Sequence, residues 1–270
     1  MAPKRQPSGL KPELEALAKG YTNGDDAVYA DEHILAVADG VGAWNTKGSG
    51  QPALWSRLLV GYGAEEVAKR RASGAGTGYG WMIEPLSRAY ERTKQECARR
   101  GVRGTTTIAF GSLVYQQLHI AALGDARIWL LRPTQIEDEQ GHEIATFAVV
   151  YSNHEQWHWF DCPRQLGTNS VDTIKEHCET AVVPVRKGDL VIVSSDGLSD
   201  NLWEPEIVEI CTEGLQKGIQ NTAELLLDRA RAIAFDVYSI SPYMERAQME
   251  GLAYEGGKRD DISIALGLVE

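Results

Sequence analysis

The chain has no Cys-x-x-Cys pair. Its four cysteines, Cys97, Cys162, Cys178 and Cys211, are scattered, and no histidine stands at zinc-like spacing from them. This argues against a zinc module and against a disulfide scaffold, and leaves reduced, buried thiols as the expectation. There is no apolar run near the ~20 residues that span a bilayer, so no membrane partner is expected. There is no basic stripe: 27 Lys and Arg against 38 Asp and Glu give a net charge of -11, which is the wrong sign for broad nucleic-acid binding. No signal peptide is visible, and the start, Met1 to Pro7, is basic but short and broken by prolines, a poor transit peptide. With the thiols, this predicts an intracellular protein, cytoplasmic by the weakness of its N-terminal signal. No internal repeat or low-complexity block occurs. The remainder is ordinary, with 43% apolar and 24% charged residues in 270, enough for a sizeable core.

The periodicity changes along the chain. Residues 1–22 read as a loose lead-in with a short helix near Pro12 to Lys19, and 23–270 as one domain. Ala27 to Tyr29 and Ile34 to Ala38 read as strands around a turn at Asp31-Glu32-His33. Trp44 to Gln51 is a Gly/Ser-rich loop. Helical spacing follows over Pro52 to Arg71 and Met82 to Arg100, with Pro52 suited to a first turn and Gly101 to a stop. Period two then marks Thr105 to Phe110, Leu118 to Leu123, Arg127 to Leu131 and Ala145 to Tyr151. Residues 152–177 have no clear period and read as a long irregular flap, a kind of segment that often carries function. Strands at Cys178 to Val183 and Leu190 to Ser194 come next. Helices follow at Pro205 to Gln216, Thr222 to Tyr238 and Pro242 to Gly251, and the last strand is Ile262 to Leu268. This non-alternating order predicts an α+β fold rather than a wound parallel sheet.

Four acidic motifs begin or end apolar runs: Gly24-Asp25-Asp26-Ala27, Ala38-Asp39-Gly40-Val41, Ser195-Asp196-Gly197-Leu198 and Arg259-Asp260-Asp261-Ile262. A carboxylate at the end of a buried strand emerges at its rim, because carboxylates do not stay buried unless paired or bound to a cation. Rims brought together make an oxygen-rich pocket of the kind hard divalent cations select.

Asp39-Gly40-Val41-Gly42, Gly104-Thr105-Thr106-Thr107, Gly124-Asp125-Ala126-Arg127, Ser195-Asp196-Gly197-Leu198 and Asp260-Asp261-Ile262 occur in that order. In this the chain resembles the metal-dependent Ser/Thr protein phosphatases of type 2C (PPM) over about residues 20 to 269. Stretches such as Pro163-Arg164-Gln165-Leu166-Gly167-Thr168 and Gly256-Gly257-Lys258-Arg259-Asp260-Asp261 are similar to its mitochondrial-type branch, which implies a mitochondrial location instead. The resemblance implies a four-layer αββα sandwich of two antiparallel sheets flanked by helices. It implies two Mn²⁺ or Mg²⁺ ions at one end. Asp39 would bridge them, the Gly40 carbonyl and Asp25 would serve one, and Asp196 and Asp260 the other. Asp26 would hold solvent near the ions, and Asp125 matches a position linked to a third, weaker ion. Asp39 and Asp196 would act in catalysis through a metal-activated hydroxide that attacks phosphoserine or phosphothreonine of phosphoprotein substrates directly. Oligomeric state is left open.

Two positions depart from the family's pattern. Val41 stands where many members carry a histidine, and Tyr21, four residues before Asp25, where many carry a phosphate-gripping arginine. A tyrosine cannot make the bidentate clamp of an arginine. Lys47, Lys258 and Arg259 are the candidate replacements by closeness to the motifs, with a raised KM expected for Lys258→Ala or Arg259→Ala. The departures keep two alternatives in view: a catalytically weak or silent phosphoprotein-binding regulator, and a phosphatase of a small phosphorylated metabolite. Asp261 reads as structural, Thr105 to Thr107 as strand entry, Trp44, Trp157 and Trp159 as packing, and His154 and His158 as surface or packing residues.

Overall fold

The structure, a computed structural model, describes residues 20–74, 78–137 and 140–270. The short helix expected near Pro12 to Lys19 lies outside the described residues. The chain opens with β1 (Tyr21–Asn23), β2 (Asp26–Ala30) and β3 (Ile34–Ala38), so Tyr21 and Thr22, read as lead-in, are already strand. A 3-10 turn at Gly42–Thr46 leads into α1 (Pro52–Ala72) and α2 (Ile83–Arg100). Next come β4 (Thr105–Thr106), β5 (Ile108–Val114), β6 (Gln117–Leu123), β7 (Arg127–Glu137) and β8 (Glu143–Ser152). Residues 152–177 hold three very short strands, β9 (Trp157–Trp159), β10 (Cys162–Pro163) and β11 (Leu166–Gly167), and the single turn α3 (Ile174–His177). The chain closes with β12 (Glu179–Pro184), β13 (Leu190–Ser194), α4 (Asp196–Ser199), α5 (Glu204–Leu215), α6 (Ile219–Ala234), α7 (Pro242–Met249) and β14 (Ile264–Leu268).

Two antiparallel sheets carry the architecture, one ordered β1-β2-β3-β5-β6-β12 and the other β14-β13-β7-β8. Alternation along each strand decides which layer a side chain joins, since successive Cβ atoms point to opposite faces. On β3, Leu35 and Val37 meet Ile128, Leu130, Val191 and Val193 of the facing sheet. Ile34, Ala36 and Ala38 instead pack with Leu58 and Leu59 of α1 and Leu86 of α2. On β13, Val191 and Val193 face the other sheet, whereas Leu190 and Ile192 pack with Ile207, Leu226 and Ala230 of α5 and α6. The result is the four-layer αββα sandwich. Because both faces of these strands are covered, their sequences read as unbroken apolar runs rather than as alternation.

The expected helices and strands are present with shifted ends. The strand expected over Thr105 to Phe110 is divided at Thr107: Thr105 and Thr106 pair with β11 of the flap, and Ile108 onward joins the large sheet. The last strand begins at Ile264, because Ile262 and Ser263 belong to the turn that delivers Asp260 and Asp261.

Candidate metal centre

Asp39 follows the last residue of β3, Asp125 lies in the turn between β6 and β7, and Asp196 opens α4 after β13. The three strand ends belong to both sheets and meet at one rim. There Asp39, Asp125 and Asp196 offer carboxylate oxygens that all lie within 4.8 Å of one another. Asp125 and Asp196 are buried and Asp39 is half-buried.

The backbone at Asp39 is fixed by the threonines of the Gly104-Thr105-Thr106-Thr107 motif. The Asp39 carbonyl accepts from Thr106 Oγ1 at 2.7 Å and from the Thr107 N–H at 2.9 Å, and the Val41 N–H donates to the Thr105 carbonyl at 3.0 Å. Gly40 pairs with Thr106, and a Cβ there would sit 2.4 Å from the Asp25 carbonyl oxygen. That close backbone approach requires glycine. It keeps Asp25 beside Asp39. The Asp25 carboxylate accepts from Asn45 Nδ2 at 2.5 Å, and its N–H donates to Asp261 Oδ2 at 2.7 Å. Asp261 thus ties the β1–β2 turn to the entry of β14. Asp26 is buried beside them and its Oδ2 has no hydrogen-bond partner in the protein.

Burial, then the neighbouring carboxylates, hold Asp39 well above the usual carboxylate range. Burial does the same to Asp26 and Asp125, with Asp196 adding to both. No Lys or Arg lies within ion-pair reach of these three among the described residues. The other side of the centre differs. Lys258 Nζ lies 2.7 Å from Asp196 Oδ2, 2.7 Å from Asp200 Oδ2 and 3.2 Å from Asp260 Oδ2. Burial pushes Asp196 up, but the Lys258 ammonium outweighs it and holds that carboxyl below the usual range. Burial and Asp196 push Asp200 up to about 8, although Arg246 Nη2 also donates to its Oδ1.

The residues present fit divalent cations. The donors are all oxygen, the carboxylates converge, and two buried oxygens, Asp26 Oδ2 and Asp196 Oδ1, have no protein partner. An acceptor-only cluster with raised proton affinities is relieved by hard cations.

Asp25, Asp26, Asp39, Asp125, Asp196, Asp260 and Lys258 all lie at this rim. Lys47 and Arg259 lie at its edge, each over an aromatic ring: Lys47 Nζ is 4.1 Å from the Trp44 ring centre and the Arg259 guanidinium 5.2 Å from that of Phe235. Trp44 is fixed by donating from Nε1 to Thr105 Oγ1 at 2.8 Å. His158 is 2.8 Å from buried Asp172 and His154 is exposed, so both serve the flap.

Three residues were not singled out by sequence reasoning. Asp200, the residue that ends α4, is one helical turn after Asp196, a spacing that turns both side chains the same way and could have been noticed. Arg246, brought in by α7, and Arg231 of α6 carry no local signal. Arg231 lines a cavity of about 820 Å³ with Tyr21, Phe235, Asp260 and Asp261. The chain also holds one Cys-x5-Arg spacing, Cys97 to Arg103, the signature of a cysteine-nucleophile phosphatase. Cys97 is buried in α2 and burial pushes its thiol up to about 12, so it is packing.

No family model matches the chain. It is 28% identical over 265 residues to the probable protein phosphatase 2C 80 of Arabidopsis thaliana, covering 96% of this chain and 56% of that one. It is 28% identical over 267 residues to the human protein phosphatase PTC7 homolog, covering 94% of this chain and 82% of that protein. The chain spans about half the length of the first two Arabidopsis proteins that it matches. Among solved structures, the photosystem II phosphatase PBCP superposes with a TM-score of 0.74 at 27% identity, covering 92% of each chain. The catalytic domain of the phosphatase PstP, solved with two manganese ions, shares the fold at a TM-score of 0.59 and 17% identity over 93% of this chain and 94% of that one. With the motif order, the αββα sandwich and the clustered aspartates, these likenesses support a protein phosphatase of type 2C (PPM).

Proposed function

We propose that the chain is a Mn²⁺- or Mg²⁺-dependent protein serine/threonine phosphatase that hydrolyses phosphoserine and phosphothreonine without a covalent intermediate. The observation that carries this is the convergence of Asp39, Asp125 and Asp196 at the rim where both sheets end. Asp25, Asp39, the Gly40 carbonyl, Asp196 and Asp260 would hold two ions, with Asp125 and Asp26 beside them. Such ions, when bound, lower the pKa of water toward neutrality and offset charge on phosphoryl oxygens.

The protein's part is placement. Thr106 and Thr107 orient Asp39, Asn45 orients Asp25, and Asp261 locks the two motif turns together. Asp26 Oδ2 is buried with no protein partner, so it is open to a hydrogen bond with solvent held beside the ions. Phosphate charge would be met from the edge of the centre by Arg231, Arg259 or Lys47, whose guanidinium and ammonium groups are not drawn into the acidic cluster. Phosphoproteins are the proposed partners. The resemblance of the stretch from Gly256 to Asp261 to the mitochondrial-type branch supports a mitochondrial location.

The test is hydrolysis of p-nitrophenyl phosphate and of a phosphothreonine peptide by chelator-treated protein with and without added Mn²⁺. Metal-dependent turnover of both, lost in Asp39→Asn and Asp196→Asn, is expected. A wild type that stays silent across metals yet binds the peptide would make the chain a phosphoprotein-binding regulator. Turnover of the small ester alone would make it a metabolite phosphatase.

A further inference from the structure

Lys258 does not behave as a surface lysine. Its side chain is 16% exposed and its ammonium touches Asp196, Asp200 and Asp260, with Asp161 Oδ1 further out at 3.7 Å. Its position is built from the backbone. The Lys258 N–H donates to Asn201 Oδ1 at 3.0 Å, and Asn201 Nδ2 donates back to the Lys258 carbonyl at 3.0 Å and to the Gly197 carbonyl at 2.9 Å. One asparagine therefore clamps the Gly-Gly-Lys-Arg-Asp-Asp segment onto the turn that carries Asp196 and Asp200. The ring of Tyr243, 5.0 Å from Nζ, closes the far side. With burial opposing it, the three carboxylates hold the lysine firmly charged.

We propose that Lys258 is a built-in competitor for the divalent cation at the Asp196–Asp260 half of the centre. This rests on the metal-dependent reading above. Asp196 presents its two oxygens differently: Oδ2 is taken by Lys258, and Oδ1 is buried without a protein partner. A cation served by Asp39, Asp125 and Asp196 Oδ1 leaves the lysine where it is. A cation that also takes Asp196 Oδ2 and Asp260 must move the ammonium outward, because like charges held a few ångström apart in a buried site repel far more than they do in water. The two halves of the centre then load unequally. The half that takes Asp196 Oδ2 and Asp260 is weakened most, because only there must the ammonium leave its place. The side chain that the sequence offers as a phosphate grip is on this account a counter-ion of the centre.

The experiment is Mn²⁺ titration by calorimetry of the full chain, as wild type, Lys258→Met, Lys258→Gln and Lys258→Arg, with melting curves in EDTA and in Mn²⁺. Two binding phases are expected in wild type. Both neutral variants should tighten the weaker phase at least tenfold and the stronger one by much less, and Lys258→Arg should keep the wild-type pattern. The neutral variants should also melt lower than wild type in EDTA and gain more from Mn²⁺. If the weaker phase is unchanged or weaker in the neutral variants, the proposal is overturned. That holds whether the variants only lose stability, as a structural lysine predicts, or only raise KM, as a phosphate grip predicts. If wild type and variants alike bind no Mn²⁺, the metal-dependent function falls with it.

Discussion

The two sides of the acidic centre are made of the same side chain and differ in whether a cation of the protein sits among them. Asp26, Asp39 and Asp125, at the ends of the six-stranded sheet, have no basic side chain within ion-pair reach among the described residues, and burial drives their proton affinities up. Asp196, Asp200 and Asp260, on the four-stranded side, share Lys258, and Asp200 also has Arg246. On the second side Lys258 holds Asp196 below the usual range, while burial and Asp196 still raise Asp200 and Asp260, so the charge there is offset in part. The first is held in an unfavourable arrangement by the threonine and glycine contacts around Asp39. Unrelieved strain of this kind marks functional sites more often than structural ones. The difference separates carboxylates that meet a cation of the protein itself from carboxylates that, on the proposed function, would meet cations from solution.

The sharpest way to break this comparison is to neutralise one carboxyl on each side. Asp39→Asn and Asp196→Asn should each lower phosphoester hydrolysis by about a thousandfold or more, as losses within a catalytic unit do. Their melting temperatures in EDTA should move in opposite directions. Asp39→Asn removes one carboxyl from a crowd of carboxyls that has no basic partner and should raise Tm by a few degrees. Asp196→Asn deprives Lys258 of a partner and should cost about 3 kcal/mol, which is roughly 6–12 °C for a domain of this size. Differential scanning fluorimetry reads both, and shifts of the same sign would refute the contrast. Next in size are the close backbone approaches, one on each side. In Gly40→Ala the new Cβ would lie 2.4 Å from the Asp25 carbonyl oxygen, and in Gly197→Ala 2.1 Å from that of Asp261. Each should destabilise by about 3 kcal/mol, measured by urea unfolding.

A smaller effect sharpens the contrast through pH. The folded-state pKa values of Asp26, Asp39 and Asp125 lie above their unfolded values near 3.8. Their contribution to stability is therefore complete below that value and is lost as pH rises through the folded values. In EDTA the protein should gain less stability between pH 5 and pH 8 than Asp39→Asn does, and Mn²⁺ should erase the gap. Last, Arg259→Ala should raise KM for a model phosphoester about two- to fivefold with kcat unchanged, since an exposed cation contributes little. An unchanged KM would remove Arg259 from the phosphate site.

Much of this was legible in the sequence because the fold repeats a simple rule. Ile34 to Ala38 and Leu190 to Val193 are apolar throughout because both faces of their strands are covered, and each run stops at the carboxylate that reaches the rim. The flap was legible only as an absence of period. Its order comes from the buried Asp172 carboxylate, which holds His158 and Arg164 at 2.8 and 2.9 Å and accepts from the Gln165 N–H. Such bonds follow no repeat. The destination of Lys258 was hidden for a similar reason. Its partner Asp196 is 62 residues away, and the pairing of β13 with β14 together with the Asn201 clamp brings them together. Nearness to a ligand motif in sequence suggested a phosphate contact, and the fold sets the side chain against Asp196, Asp200 and Asp260.

The central claim is that oxygens from strand ends of both sheets hold divalent cations. It is tested most directly by anomalous diffraction at the manganese edge from crystals grown with Mn²⁺. The account predicts anomalous density bounded by Asp39, Asp196 and the Gly40 carbonyl, and none at that place in Asp39→Asn crystals. Manganese bound elsewhere, or an active protein with no anomalous density at this rim, would contradict it.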